Sequence, residues 1–240
     1  MLEVKKVAKP ASTGPAWPSS LYATPRLPTW QTPPNEKFVA EDIMEGCRRA
    51  MQQLDLETLT ALGVTSSVRG EGRTTLALAT ALVLAEYGLN AVLLELDFLH
   101  PDLAQRLGVT KTPGLGDLAE GRAKLEDTMR PISTGFTVVP AGQVQGSIPR
   151  AMRQLAAIEL FESLQSQGHV VVADLPPLLG NSVGHQAAGL MADLLLVVRA
   201  GVVSSRSIKD AVAGLHVTPK VLVNGTNTRV PSWALRLSGI

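Results

Sequence analysis

The stretch Thr65-Ser66-Ser67-Val68-Arg69-Gly70-Glu71-Gly72-Arg73-Thr74-Thr75 closes one apolar run and leads directly into another, Leu76 to Ala85. A glycine-rich turn between a strand and a helix N-terminus points several backbone N–H groups and the positive end of the helix dipole at one spot, which suits a phosphate group. Gly70 and Gly72 supply the permissive backbone. Thr74 stands where a P-loop places the hydroxyl that holds Mg²⁺. The usual pattern has Lys before that hydroxyl, where this chain has Arg73, and Gly at the position of Ser67. Ser67, Gly70, Glu71, Gly72, Arg73, Thr74 and Thr75 are therefore the candidate nucleotide-binding residues.

Three acids fall where such a site needs them. Ala91 to Asp97 reads A-V-L-L-E-L-D, an apolar strand whose end presents Glu95 and Asp97 on one face, two residues apart. Val170 to Pro177 reads V-V-V-A-D-L-P-P and places Asp174 at the end of another apolar strand. In open α/β sheets ligands sit beyond the carboxyl ends of the strands, so the acids and the loop are expected to converge. Mg²⁺ takes hard oxygens and few protein ligands, a role that falls to Thr74, Asp97 and Asp174, directly or through water.

The elements that must position these groups show as short apolar runs alternating with helical ones. The strand-like runs are Ala61 to Thr65, Ala91 to Leu96, Phe136 to Pro140, Val170 to Ala173, Leu194 to Val198 and Val221 to Val223. Most are continuously apolar, as strands covered on both faces are. Helical segments are expected near Thr74 to Tyr87, Ala151 to Gln167, His185 to Met191 and Ser207 to Leu215. This alternation argues for one doubly wound, mainly parallel α/β sheet over residues 36–240. Ile43, Cys47, Ala50, Met51 and Leu54 recur at helical spacing and predict an amphipathic helix ahead of it. Residues 1–35 carry seven prolines (Pro10, Pro15, Pro18, Pro25, Pro28, Pro33 and Pro34) and no apolar period, and are expected to form a disordered tail.

Composition narrows the function classes. A formal net charge of +1 gives no support to a polyanion-binding surface and argues against a nucleic-acid partner. No apolar stretch approaches the ~18 to 20 residues that span a bilayer, and the N-terminus lacks the apolar core of a secretory signal, so a cytoplasmic location is expected. Cys47 is the sole cysteine, which removes intrachain disulfides, thiolate zinc sites and cysteine-ligated clusters. His100, His169, His185 and His216 have no metal-ligand spacing.

With these motifs in order, residues 37 to 225 resemble the kinase domain of the bacterial tyrosine kinases (BY-kinases) of capsule and exopolysaccharide production. The family's deviant P-loop, T-S-x-x-P-G-E-G-K-S-T, resembles T-S-S-V-R-G-E-G-R-T-T here, with Arg69 in place of Pro. Its D-x-D motif is similar to Glu95-Leu96-Asp97 and its D-x-P-P motif to Asp174-Leu175-Pro176-Pro177; Pro113 to Leu118, Val138 to Gly142 and Val223-Asn224-Gly225 also resemble family positions. The resemblance implies a P-loop NTPase fold, ATP or ADP with Mg²⁺ as cofactors, an adenine contact from Asn224, and catalytic roles for Arg73, Glu95, Asp97 and Asp174. It further implies a transmembrane polysaccharide chain-length or export protein as partner. A family helix with E-x-x-R-x-x-R closes a ring of subunits; here Glu45 and Arg48 match and Met51 replaces the final Arg, so at most a weak homo-oligomer is expected.

The departures carry functional weight. Arg is a wide planar fork where Lys is a compact charge, so Arg73 pairs with phosphate from a different point. Glu95 replaces the family's first Asp, and its extra methylene moves the carboxylate by roughly 1.5 Å, where an error of about 1 Å can cost ~10²-fold in rate. The family's tyrosine-rich C-terminal run has no counterpart after Asn224; Tyr22 and Tyr87 are the tyrosines of the chain. These features point to a nucleotide-binding relative with weak or no tyrosine kinase activity. The alternatives are an active tyrosine autokinase or ATPase of the same pathway, and a positioning ATPase resembling the partition and division-site proteins, which usually carry a second Lys where this chain has Val68.

Overall fold

The computed structural model describes residues 38–52 and 58–225. The proline-rich run 1–35, Leu54, and everything after Gly225 lie outside them. Among the described residues the strands are β1 (Ala61–Ser66), β2 (Asn90–Glu95), β3 (Arg130–Ser133), β4 (Phe136–Val139), β5 (His169–Asp174), β6 (Asp193–Arg199) and β7 (Lys220–Asn224). They form one sheet in the order β3-β4-β2-β5-β1-β6-β7, parallel throughout except for the β3–β4 pair. This is the doubly wound, mainly parallel sheet that the alternating runs predict.

Side chains alternate across a strand, and that alternation builds two cores from one set of runs. Val92, Leu94, Val171, Ala173, Leu194 and Leu196 face one layer. Leu93, Val172, Leu195 and Val197, interleaved with them, face the other. On the second face lie α1 (Glu41–Met51), α2 (Arg73–Glu86) and α3 (Leu103–Leu107), through Met44, Cys47 and Met51, Leu76 to Leu84, and Leu103 and Leu107. On the first lie α4 (Leu115–Ala119), α6 (Ile148–Ala157), α7 (Leu160–Ser166), α8 (Ser182–Ala188) and α9 (Ser205–Val212); a short α5 (Leu125–Thr128) precedes β3.

Two features differ from the sequence reading. The helix expected from Ala151 to Gln167 is two, α6 and α7, because Glu159 takes a left-handed backbone conformation (φ 51°). The break re-aims the chain so that Leu155, Leu160, Phe161 and Leu164 all stay in one core layer. The antiparallel strand β3 carries no signal, since R-P-I-S is polar and contains a proline, which edge strands tolerate. Arg48, which matches the family's ring-closing helix, is engaged within the chain. Its guanidinium donates to Glu86 on α2 at 3.0 and 3.2 Å and to Glu41 at 2.9 Å. These carboxylates raise its already high proton affinity. The pair docks α1 onto α2, while burial of Cys47 on the same helix pushes its thiol up to about 11.

Gly63, in the middle of β1, lies where any side chain would collide: a Cβ there would meet Met191 Cγ at 2.5 Å and methyls of Leu175 and Leu194 at 2.7 and 2.8 Å. Because β1 is a central strand leading into the loop, overpacking here is felt by the whole sheet. Gly63→Ala should lower stability by about 1–3 kcal/mol in urea denaturation; an unchanged midpoint would contradict the tight packing of β1 against α8 and β6.

Candidate functional site

The loop from Ser67 to Gly72 connects β1 to α2 at the carboxyl edge of the sheet. Gly70 and Gly72 both adopt positive φ, +84° and +95°, which a side chain would strain. Gly72 is also the residue before the first turn of α2 and provides no side-chain cap. A helix leaves its first N–H groups without intrahelical partners, so the amides at the start of α2 remain available to an anion. The loop is braced from three sides. Glu71 is fully buried and folds back, its carboxylate accepting from the amides of Val68 (2.9 Å) and Arg199 (3.0 Å). Asn224, at the end of β7, donates from Nδ2 to the Glu71 carbonyl at 2.8 Å, and a Cβ on Gly72 would lie 2.4 Å from that same nitrogen. The segment after β5 runs alongside, with the Leu178 and Leu179 amides donating to the Ser66 and Ser67 carbonyls and the Thr65 hydroxyl to the Pro176 carbonyl.

Arg73 turns inward. Nε donates to Asp174 Oδ1 at 3.1 Å and Nη2 to Asp97 Oδ2 at 2.6 Å, with all three side chains largely or fully buried. Asp97 also accepts from the His100 amide at 3.3 Å. Burial pushes Asp174 up to about 7, against the opposing pull of Arg73 and Thr74 and with help from the charges of Glu95 and Asp97. Two buried polar atoms in this cluster have no partner: Ser67 Oγ and the third guanidinium nitrogen, Arg73 Nη1. Buried polar atoms are nearly always hydrogen-bonded, and an acceptor oxygen, of water or of a ligand, would satisfy either of these.

The sequence expected Mg²⁺ at Thr74, Asp97 and Asp174. The structure bonds both acids to Arg73, and Thr74 is the second residue of α2. Glu95 is likewise engaged: Oε1 accepts from the Asp102 and Leu103 amides at 2.6 and 2.7 Å, and Oε2 from the Ala141 amide at 3.0 Å. It ties α3 and the segment after β4 to the end of β2, and burial raises its pKa. Thr75 accepts from Arg106, itself paired with Asp102 at 2.7 Å. Sequence reasoning missed Arg106 and Arg199; a cation at the end of β6 beside a P-loop was the available signal for Arg199, whose Nη1 lies 3.5 Å from the Gly70 carbonyl oxygen.

Fold and loop together define a P-loop NTPase-type protein. No protein-family model matches the chain. Among characterised relatives, the antiactivator FleN of Pseudomonas aeruginosa is 29% identical over 136 residues, 55% of this chain and 49% of FleN. The tyrosine-protein kinase CpsD of Streptococcus agalactiae is 28% identical over 142 residues, 58% of this chain and 56% of CpsD. The chain thus matches about half the length of each. Of solved structures, the kinase domain of the Escherichia coli tyrosine kinase ETK superposes with a TM-score of 0.69 at 21% identity, over 76% of this chain and 75% of that one. The septum site-determining protein MinD of Pyrococcus horikoshii, complexed with Mg-ADP, superposes with a TM-score of 0.50 at 25% identity, over 58% of this chain and 57% of MinD. The chain is thus similar to bacterial tyrosine kinases, and MinD-like ATPases form a second set of matches.

The buried acids set a pH dependence. The Asp174 pKa is raised, so between about pH 4 and about 7 the folded protein holds a proton that the unfolded chain has lost. Stability from this group is present at the acid end of the window and is lost as pH rises through it, and Glu95 acts in the same direction. Urea midpoints followed across this range should fall with rising pH, and Asp174→Asn should flatten the fall; an unchanged slope in the variant would contradict the burial argument.

Proposed function

We propose that this protein is a BY-kinase-like nucleotide-binding protein of exopolysaccharide or capsule biosynthesis or export, with weak or no tyrosine kinase activity, acting with a transmembrane chain-length or export protein. The observation that carries the nucleotide reading is the pair of buried, unpartnered donors, Ser67 Oγ and Arg73 Nη1, at a glycine turn whose helix N-terminus has no side-chain cap. The polyphosphate lies on the amides of residues 70–75, and Asn224 and Glu71 hold that loop in shape. An adenine contact from Asn224 requires the amide to keep its bond to the Glu71 carbonyl and offer its remaining groups to the base.

Weak phosphotransfer follows from what the acids are doing. A general base must be able to turn toward the proton it takes, within hydrogen-bond reach. Glu95 has three backbone amides on its two oxygens, and Asp97 and Asp174 are bonded to Arg73. Tyr87 follows the last turn of α2, whose 14 residues put it about 20 Å from the loop at the helix start, out of reach of its own site. The partner reading rests on the BY-kinase likeness. No helix among the described residues is long and apolar enough to cross a membrane. Arg48 is spent on Glu86 and Glu41, which supports weak self-association.

FleN and MinD among the matches favour a second reading, an ATPase that switches its assembly with nucleotide state. Calorimetric titration with ATP, followed by product and mass analysis, separates the readings. Binding with Tyr22 and Tyr87 unmodified is expected, and Arg73→Ala should weaken it by about tenfold or more, the loss of one charge-assisted hydrogen bond to phosphate. Stoichiometric phosphotyrosine would overturn the weak-kinase reading; ATP-dependent dimerisation would favour the second.

A further inference from the structure

Arg73 has three nitrogens, and the structure accounts for each. Nε holds Asp174, Nη2 holds Asp97, and Nη1 is buried with no partner. The guanidinium is planar and its donors diverge at fixed angles. One side chain can therefore bond two carboxylates and still offer a third edge to a phosphate. A lysine ammonium holds its three donors at one atom, so all three acceptors would have to close in on that single point. The carboxylates that would ligate a divalent ion are meanwhile engaged by the guanidinium. Asp97 accepts from Arg73 and the His100 amide, and Asp174 from Arg73. Mg²⁺ demands near-octahedral oxygens at about 2.0–2.1 Å. To enter, it would have to strip two charge-assisted hydrogen bonds from Arg73 and then sit beside the freed positive charge.

We propose that Arg73 is the resident cation of this site, so that nucleotide polyphosphate binds as the metal-free anion with Arg73 Nη1 and Ser67 Oγ as its side-chain donors. The inference deepens the nucleotide reading above and rests on it. It names the form of the ligand, and it assigns Asp97 and Asp174 as positioning residues that hold the guanidinium rather than as metal ligands. Transfer chemistry that needs a metal would then be disfavoured by the same contact that secures binding. The chain would report nucleotide occupancy rather than turn it over.

The test is a calorimetric titration of the full chain with ADP, once in excess EDTA and once in excess Mg²⁺. The two dissociation constants should agree within about threefold. Binding tighter by more than about tenfold with Mg²⁺ overturns the proposal, and this comparison needs no variant. Arg73→Lys, which replaces the wide fork by a compact point charge, should acquire a Mg²⁺ preference of about tenfold or more. A folded Lys variant as indifferent to Mg²⁺ as the native chain would overturn the assignment to Arg73. Absence of binding in both buffers would overturn the nucleotide reading itself and this inference with it.

Discussion

The contact between the Arg73 guanidinium and the carboxylates of Asp97 and Asp174 is the constraint on which the site depends. Three strand ends and one helix start meet there. Asp174 closes β5, Asp97 follows β2, and Arg73 is the first residue of α2, which begins where the loop after β1 ends. Burying two acids without a cation would be costly, and removing one partner of such a cluster leaves an uncompensated charge. The apolar strands on either side are what make the contact strong, because they exclude the water that would screen it.

Around that cluster the other polar groups act mainly as braces. Glu71 ties the loop to the end of β6, Asn224 ties it to the end of β7, and Glu95 ties the end of β2 to α3 and to the segment after β4. Each is a side chain accepting from or donating to backbone, the arrangement that holds loop geometry without large apolar contacts. A protein that must keep an anion-binding turn in shape before the anion arrives needs such braces, since preorganised donors cost no rearrangement on binding.

The same residues show how changes that keep charge can alter reach. Lys to Arg at residue 73 and Asp to Glu at residue 95 read as conservative by charge, yet both change reach. The longer Glu95 side chain finds three amides. The wider Arg73 fork finds two acids at once. In each case extra length is used to make structure, and a group fully engaged in structure is less free to move a proton.

The sequence by itself determined the parts that depend on local order. Continuous apolar runs made the two-sided sheet, Gly70 and Gly72 made the turn, and the strand-end acids were legible because a strand alternates and stops. Arg73, Asp97 and Asp174 meet in one place because the topology of a doubly wound sheet brings strand ends together. Only the tertiary structure decided who bonds whom. Arg73 meets partners 24 and 101 residues away, Glu71 meets an amide 128 residues on, and Asn224 bonds a carbonyl 153 residues back. Arg48 could be read as an interface charge until Glu86, 38 residues later, was seen beside it. The helix break at Glu159 was equally invisible, because a left-handed residue other than glycine is held by the packing on both sides of it rather than by its own preference. Hydrogen-bond partners are chosen by distance in space, and sequence spacing carries that distance only within one helix or one strand.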